Sequence, residues 1–237
     1  MGSRLSSSEF PVVNEAATTD ERGALSPHRA SELAMNGLPF VSLEELKTGL
    51  LPKAKYETSS TTLSTALRDQ RACILDIGVD VACTLGDLMP DGRPLCDRKP
   101  AGAELIDRPE KEILRFNLSP DSKENSISTQ AMLEMDAIGR TYLGALAHAM
   151  RLPHNAFLNL LDDVPLVQPA YSVLDTVQYK AKSPVGCESH TDQGLLTVIY
   201  SPLSSALQVQ DSWGEWQKFT LRPYHALVLS GGSPTVT

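Results

Sequence analysis

At 237 residues, with 41% hydrophobic content and 16 prolines, the chain suits one large domain, or one domain behind a long irregular lead-in. A formal charge of −8 without any Lys/Arg cluster argues against a nucleic-acid surface, and no apolar run approaches the length of a membrane span. Cys73, Cys83, Cys96 and Cys187 form no CxxC pair and no signal peptide precedes them, so reduced thiols in a cytoplasmic setting are expected rather than disulfides or a zinc site.

The amino terminus places Gly2 and Ser6 in the loose pattern of N-myristoylation, but a single acyl chain anchors only marginally. Residues up to about 25 lack periodicity and read as an irregular start. Ser26-Pro27 has the signature of a helix opening, with Gly37 past its end, and Ser42-Leu43-Glu44-Glu45 is a capping box for a second short helix. Thr61 or Thr62 would cap a third helix carrying Leu63, Ala66 and Leu67 on one face, and Cys73 to Val79 reads as the strand after it.

Asp87 to about Ser126 is rich in Pro, Gly, Asp, Lys and Ser and is expected to be a long loop, either a lid or a solvated connection. Gln130 to Met150 is the clearest helix: Met132, Met135, Ile138, Leu143, Leu146 and Met150 recur at mostly three- to four-residue intervals. His148 and His154 on and after it read as surface or hydrogen-bonded histidines.

From Val167 the text becomes strand-like. Tyr171 to Tyr179 alternates, followed by Leu195 to Tyr200, Leu207 to Gln210, Glu215 to Leu221 and Ala226 to Leu229, which together describe a sandwich or jelly roll. Ahead of the second of these stands Gly186-Cys187-Glu188-Ser189-His190-Thr191-Asp192-Gln193-Gly194. Residues two apart on a strand face the same way, so His190 and Asp192 can aim an imidazole nitrogen and a carboxylate oxygen together. That is two thirds of a 2-His-1-carboxylate facial triad for Fe(II). An isolated His-x-Asp is common, and most copies are plain surface pairs.

The surrounding text is more specific. His190-Thr191-Asp192-Gln193-Gly194-Leu195-Leu196-Thr197, then Leu207 to Asp211 with Gly214 and Trp216, then Pro223 to Leu229, match HTDxGxLTLL, LQVxxxxGxW and PxPGALVVNxGD in order and spacing. In these three blocks the chain resembles the iron- and 2-oxoglutarate-dependent dioxygenases of the isopenicillin N synthase-like group. The resemblance implies an α+β fold: N-terminal helices beside an incomplete double-stranded β-helix, or jelly roll. It divides the chain into a lead-in over 1–60, a helical part with the long loop over 61–165, and a partial oxygenase core over 166–237. It also implies Fe(II) at His190 and Asp192, 2-oxoglutarate as co-substrate, molecular oxygen, and a small organic substrate. Tyr179 falls where that family often has the last Tyr of an Asn-Tyr-Tyr run contacting the co-substrate, although the Asn position reads Val177.

The family's second metal-binding histidine and its Arg-x-Ser come later than this chain runs. His225, the one later histidine, replaces the Gly of the third block and lies one strand too early. The reading is therefore of an oxygenase truncated within its jelly roll, holding Fe(II) and 2-oxoglutarate weakly, with uncovered strand edges and an inner face, including Leu195, Val198 and Leu227, left wet. The alternatives are a non-catalytic remnant serving as an interaction or scaffold module, and a cupin-like protein with another metal.

Overall fold

The computed structural model describes residues 38–47, 52–89, 93–99, 103–117, 127–161, 172–180, 189–192, 194–201, 207–219, 221–232 and 234–236, all within one compact unit, Asn36–Thr237. The expected irregular start up to about residue 25 (with Gly2), the Ser26-Pro27 helix and Cys187 lie outside these residues.

Strand β1 (Phe40–Ser42) leads directly into the short helix α1 (Leu43–Leu46), whose N-cap Ser42 makes no side-chain capping bond. Helix α2 (Lys53–Gln70) begins a full two turns before Thr61, so the boundary expected at residue 60 falls inside it. Its first half escapes a hydrophobic pattern because the buried face holds Ser59 and Ser60. Ser59 Oγ donates to Glu45 Oε2 at 2.9 Å, and on the exposed side Thr58 and Thr61 donate back to Ala54 O and Glu57 O within the helix. Arg71 closes the helix in the left-handed conformation (φ 59°).

Strand β2 (Ala72–Asp76) is shorter than the expected 73–79 strand, because Gly78 (φ 78°) turns the chain into a further helix, α3 (Val79–Gly86). The presumed long loop also carries structure. A 3-10 turn spans Leu95–Arg98, and β3 (Glu104–Asp107) pairs antiparallel with β4 (Lys111–Asn117). Charged residues within both strands hid them: Arg115 meets Asp175 only across the sheet, through Nε–Oδ1 and Nη2–Oδ2 contacts of 2.9 and 2.7 Å.

Helix α4 (Ile127–Ala149) forms where its periodicity places it. The expected stripe is buried at Met132, Ile138 and Leu143 and partly buried at Met135 and Leu146, while Met150 is exposed. Small residues Ala131, Gly144 and Ala145 are buried on the same helix, and Tyr142 is fully buried beside them. The His154 ring lies against bare Gly144, where a Cβ would stand 2.4 Å from it, and His148 tilts against Tyr56.

The remaining strands are β5 (Val173–Tyr179), β6 (His190–Thr191), β7 (Leu196–Tyr200), β8 (Gln208–Gln210), β9 (Trp216–Lys218), β10 (His225–Ser230) and β11 (Pro234–Val236). They assemble with the earlier ones into three sheets: β1-β2-β10-β7, β6-β11-β8-β9 and β3-β4-β5. Alternation sorts the first sheet into two faces. Cys73, Leu75, Ala226 and Val228 pack on the helices, whereas Ala72, Ile74, Leu227 and Leu229 pack with Leu207, Val209, Phe219 and Leu221 at the second sheet. The layers are thus helix, sheet, sheet. Leu227 is fully buried and Val198 packs on the helix side, which corrects the expectation of a wet inner face; Leu195 alone of the three is exposed. Strand β10 is paired on both sides, with β2 and β7, so its edges are covered.

The β8–β9 turn is knotted by Asp211, whose carboxylate accepts from Trp213 N, Glu215 N and Gln217 Nε2 at 2.9, 3.0 and 3.2 Å. Ser212 Oγ ties that turn to Asp69 O at the end of α2. Among the described residues no helix is long and apolar enough to cross a membrane.

Truncating Leu227 to Ala should cost roughly 3–5 kcal/mol, because it opens a cavity between two sheets that cannot collapse. Val79→Ser, at an exposed site, should stay within about 0.5 kcal/mol of wild type. Urea denaturation midpoints at unchanged slope measure both.

Candidate metal centre

His190 and Asp192 do not sit at the head of one continuous strand. His190 belongs to β6 in the second sheet, and the chain then crosses to β7 in the first sheet within Asp192–Leu195. Gly194 makes the crossing possible with φ 116°, a conformation closed to other residues at little cost. The pair is nevertheless brought together: His190 Nε2 stands 3.3 Å from Asp192 Oδ1, with the side chains 45% and 24% exposed.

Two donors bound to one ion, each roughly 2.1 Å away and at a right angle, stand about 3 Å apart. The observed separation and the imidazole–carboxylate chemistry therefore fit two adjacent positions on one cation. Among the described residues no group of three His, Cys, Asp or Glu side chains gathers around one point.

What holds this loop is a backbone contact that the sequence reading did not find. After β10 the chain turns through Gly231 and Gly232; Gly231 N donates to Leu195 O at 3.0 Å and Gly232 N to Asp192 O at 3.1 Å. A Cβ on Gly231 would fall 1.6 Å from Gly194 O, so no other residue fits there without moving the loop that carries His190 and Asp192. Strand β11 then pairs with β6, setting Thr235 opposite His190 and Pro234 opposite Thr191. The Gly231-Gly232 doublet was the only signal in the sequence, and a doublet alone does not say what presses on it.

Tyr179, the third expected site residue, ends β5 in the sheet of β3 and β4, opposite Lys111, whose Nζ lies 5.8 Å from the ring centroid. It shares a sheet with neither His190 nor Asp192. His225 is a buried residue at the start of β10, edge-on to Phe40 and Tyr224 with ring centroids 5.2 and 4.7 Å away.

Gly231→Ala should weaken Mn(II) binding by more than tenfold and lower stability, since the new methyl must displace the Gly194 peptide. Gly78→Ala, also at positive φ but with open space around it, should cost about 1–3 kcal/mol and leave metal affinity unchanged. Equal Mn(II) affinity in wild type and Gly231→Ala would show that the contact does not position the loop.

No family model matches this chain, and no curated protein matches it by sequence. Solved structures do match. A full-length Neurospora crassa protein in complex with alpha-KG and 5-formyluracil is 14% identical, covers 94% of this chain and 81% of its own, and superposes with a TM-score of 0.63. The dioxygenase for auxin oxidation 1 from Arabidopsis thaliana, as its 2-oxoglutarate complex, is 16% identical over 84% of this chain and 86% of that one, at a TM-score of 0.60. A 2OG-Fe(II) oxygenase family protein from Caulobacter crescentus is 14% identical over 85% and 80%, at 0.59. By superposition, the fold of this chain is that of these 2OG-Fe(II) oxygenase structures.

Proposed function

We propose that this chain is an oxidoreductase that uses Fe(II), 2-oxoglutarate and molecular oxygen to hydroxylate, or otherwise oxidise, a small organic substrate. The observation that carries the reading is the His190–Asp192 donor pair, 3.3 Å apart, on a loop clamped from beneath by Gly231 and Gly232. In this reading the facing sheets β1-β2-β10-β7 and β6-β11-β8-β9 are the two walls of a double-stranded β-helix, and the loop that crosses between them carries the metal ligands. A likeness in fold names no substrate.

His190 would offer the Nε2 lone pair of a neutral imidazole and Asp192 one carboxylate oxygen. Asp192 also brings one negative charge, which offsets part of the charge of a divalent ion. The chemistry that such a centre supplies when loaded is the oxygen-dependent decarboxylation of 2-oxoglutarate coupled to substrate oxidation. Tyr179 would present its phenol to an oxygen of the co-substrate, with Lys111 over the ring as a nearby cation. Free Cys73, Cys83 and Cys96 suit a reducing compartment, and we place the protein in the cytoplasm.

Anaerobic addition of Fe(II) and then 2-oxoglutarate, followed by visible absorption, tests the reading. A charge-transfer band should develop in wild type, be lost in His190→Ala and Asp192→Ala, and decay on exposure to oxygen with release of succinate. A band indifferent to both substitutions, or none at saturating Fe(II) and 2-oxoglutarate, would contradict the metal site. It would favour a scaffold or interaction role for the same fold.

A further inference from the structure

The sheet of β3, β4 and β5 has two unlike faces. One presents Ile113, Arg115, Asp175, Val177 and Tyr179. The other presents Leu114, Phe116, Leu174 and Thr176, and Leu174 packs into the helix-side core. Against this second face lies a half-open cavity of about 240 Å³, where the end of α3, the Leu95–Arg98 turn, β4, β5 and the first turn of α4 meet. Leu88, Leu95, Leu114, Phe116 and Ile127 make its walls.

The cavity's chemistry narrows what it can hold. An apolar cavity of about 150 Å³ accepts benzene, so this one has room for a single ring with one or two small substituents, about eight to ten non-hydrogen atoms. Thr176, directly opposite Leu114 in the strand pairing, and Ser128 bring the two hydroxyl groups of the lining. The charged residues do not call for an ion. The Arg98 guanidinium is tied to the chain just after α3, with Nη1 donating to Met89 O at 2.8 Å and Nη2 to Asp87 O at 3.5 Å, and Asp87 adds a carboxylate to the lining. Ile127 is 53% exposed at the edge, apolar surface that an occupant would cover.

We propose that this cavity is a binding site for a neutral, phenol-like single-ring molecule: ring against Leu95, Leu114 and Phe116, hydroxyl toward Thr176 and Ser128. Because side chains alternate along β5, the site opens on the face opposite Tyr179. It stands on the geometry of this sheet alone and is independent of the metal chemistry proposed above. An occupant would tie the first turn of α4 to β4 and β5.

Titration of the whole chain with p-cresol, followed by calorimetry and by methyl NMR, tests this. Saturable binding in the micromolar to millimolar range is expected, as suits so small a ligand, with shifts at the methyls of Leu88, Leu95, Leu114 and Ile127 and none at Leu207, Val209 or Leu221. Ser128→Phe, which plugs the cavity from the half-exposed first turn, should weaken binding at least tenfold. Thr176→Val, which removes the hydroxyl at equal volume, should weaken it severalfold, and His190→Ala should leave it unchanged. The wild-type methyl shifts decide the matter even where a variant folds poorly. Non-saturable binding, shifts confined to other methyls, or loss in His190→Ala with retention in Ser128→Phe would overturn the proposal.

Discussion

The contact between the peptides of Gly194 and Gly231 is the constraint on which the candidate site depends. Two chain reversals meet there: the crossing that leads from β6 into β7, and the turn that leads from β10 into β11. Neither has a side chain to hold them apart, so two backbone hydrogen bonds lock one loop onto the other. Each N–H and C=O so paired avoids the cost of a half-buried unsatisfied group. The separation of His190 from Asp192 follows from this, because both residues hang on backbone fixed at Thr191, Asp192 and Leu195.

That lock is only as firm as the strand it springs from. Strand β10 is the centre of its sheet, buried on both faces from His225 to Leu229, with helices on one side and the second sheet on the other. On the helical side, fully buried Ala131, Tyr142 and Ala145 of α4 pack with Cys73, Leu75, Ala226 and Val228. Fully buried Cys73 shows how dry the junction is: burial pushes its thiol up to about 12, so it stays a neutral packing group. Rigidity therefore passes from the helical layer through β2 and β10 to the Gly231 turn, and from there to the loop of His190 and Asp192.

How much of this could be read from the sequence depended on whether the information was local. Helix α4 and strands β5, β7, β8 and β10 announced themselves, because burial imposes a period that a single stretch displays. The first half of α2 did not, because its buried face holds the polar residues Ser59 and Ser60, and the partner of Ser59, Glu45, lies on another helix. Strands β3 and β4 looked like loop because Arg115 acquires its partner only across the sheet. At the candidate site, the approach of His190 to Asp192 was legible from their spacing read together with the resembling blocks around them. The Gly231 buttress was not, since a glycine's reason for being small lies in the residue it touches, here Gly194, far away in the chain.

The account's central claim is that His190 and Asp192 form one side of a cation site preset by the fold. Pulsed electron paramagnetic resonance of Mn(II)-loaded protein, prepared with ¹⁵N-histidine, tests it most directly. The account predicts a histidine nitrogen coupling that disappears in His190→Ala and persists in His225→Gln and His154→Gln. A coupling that survives His190→Ala, or no nitrogen coupling at all from bound Mn(II), would contradict it.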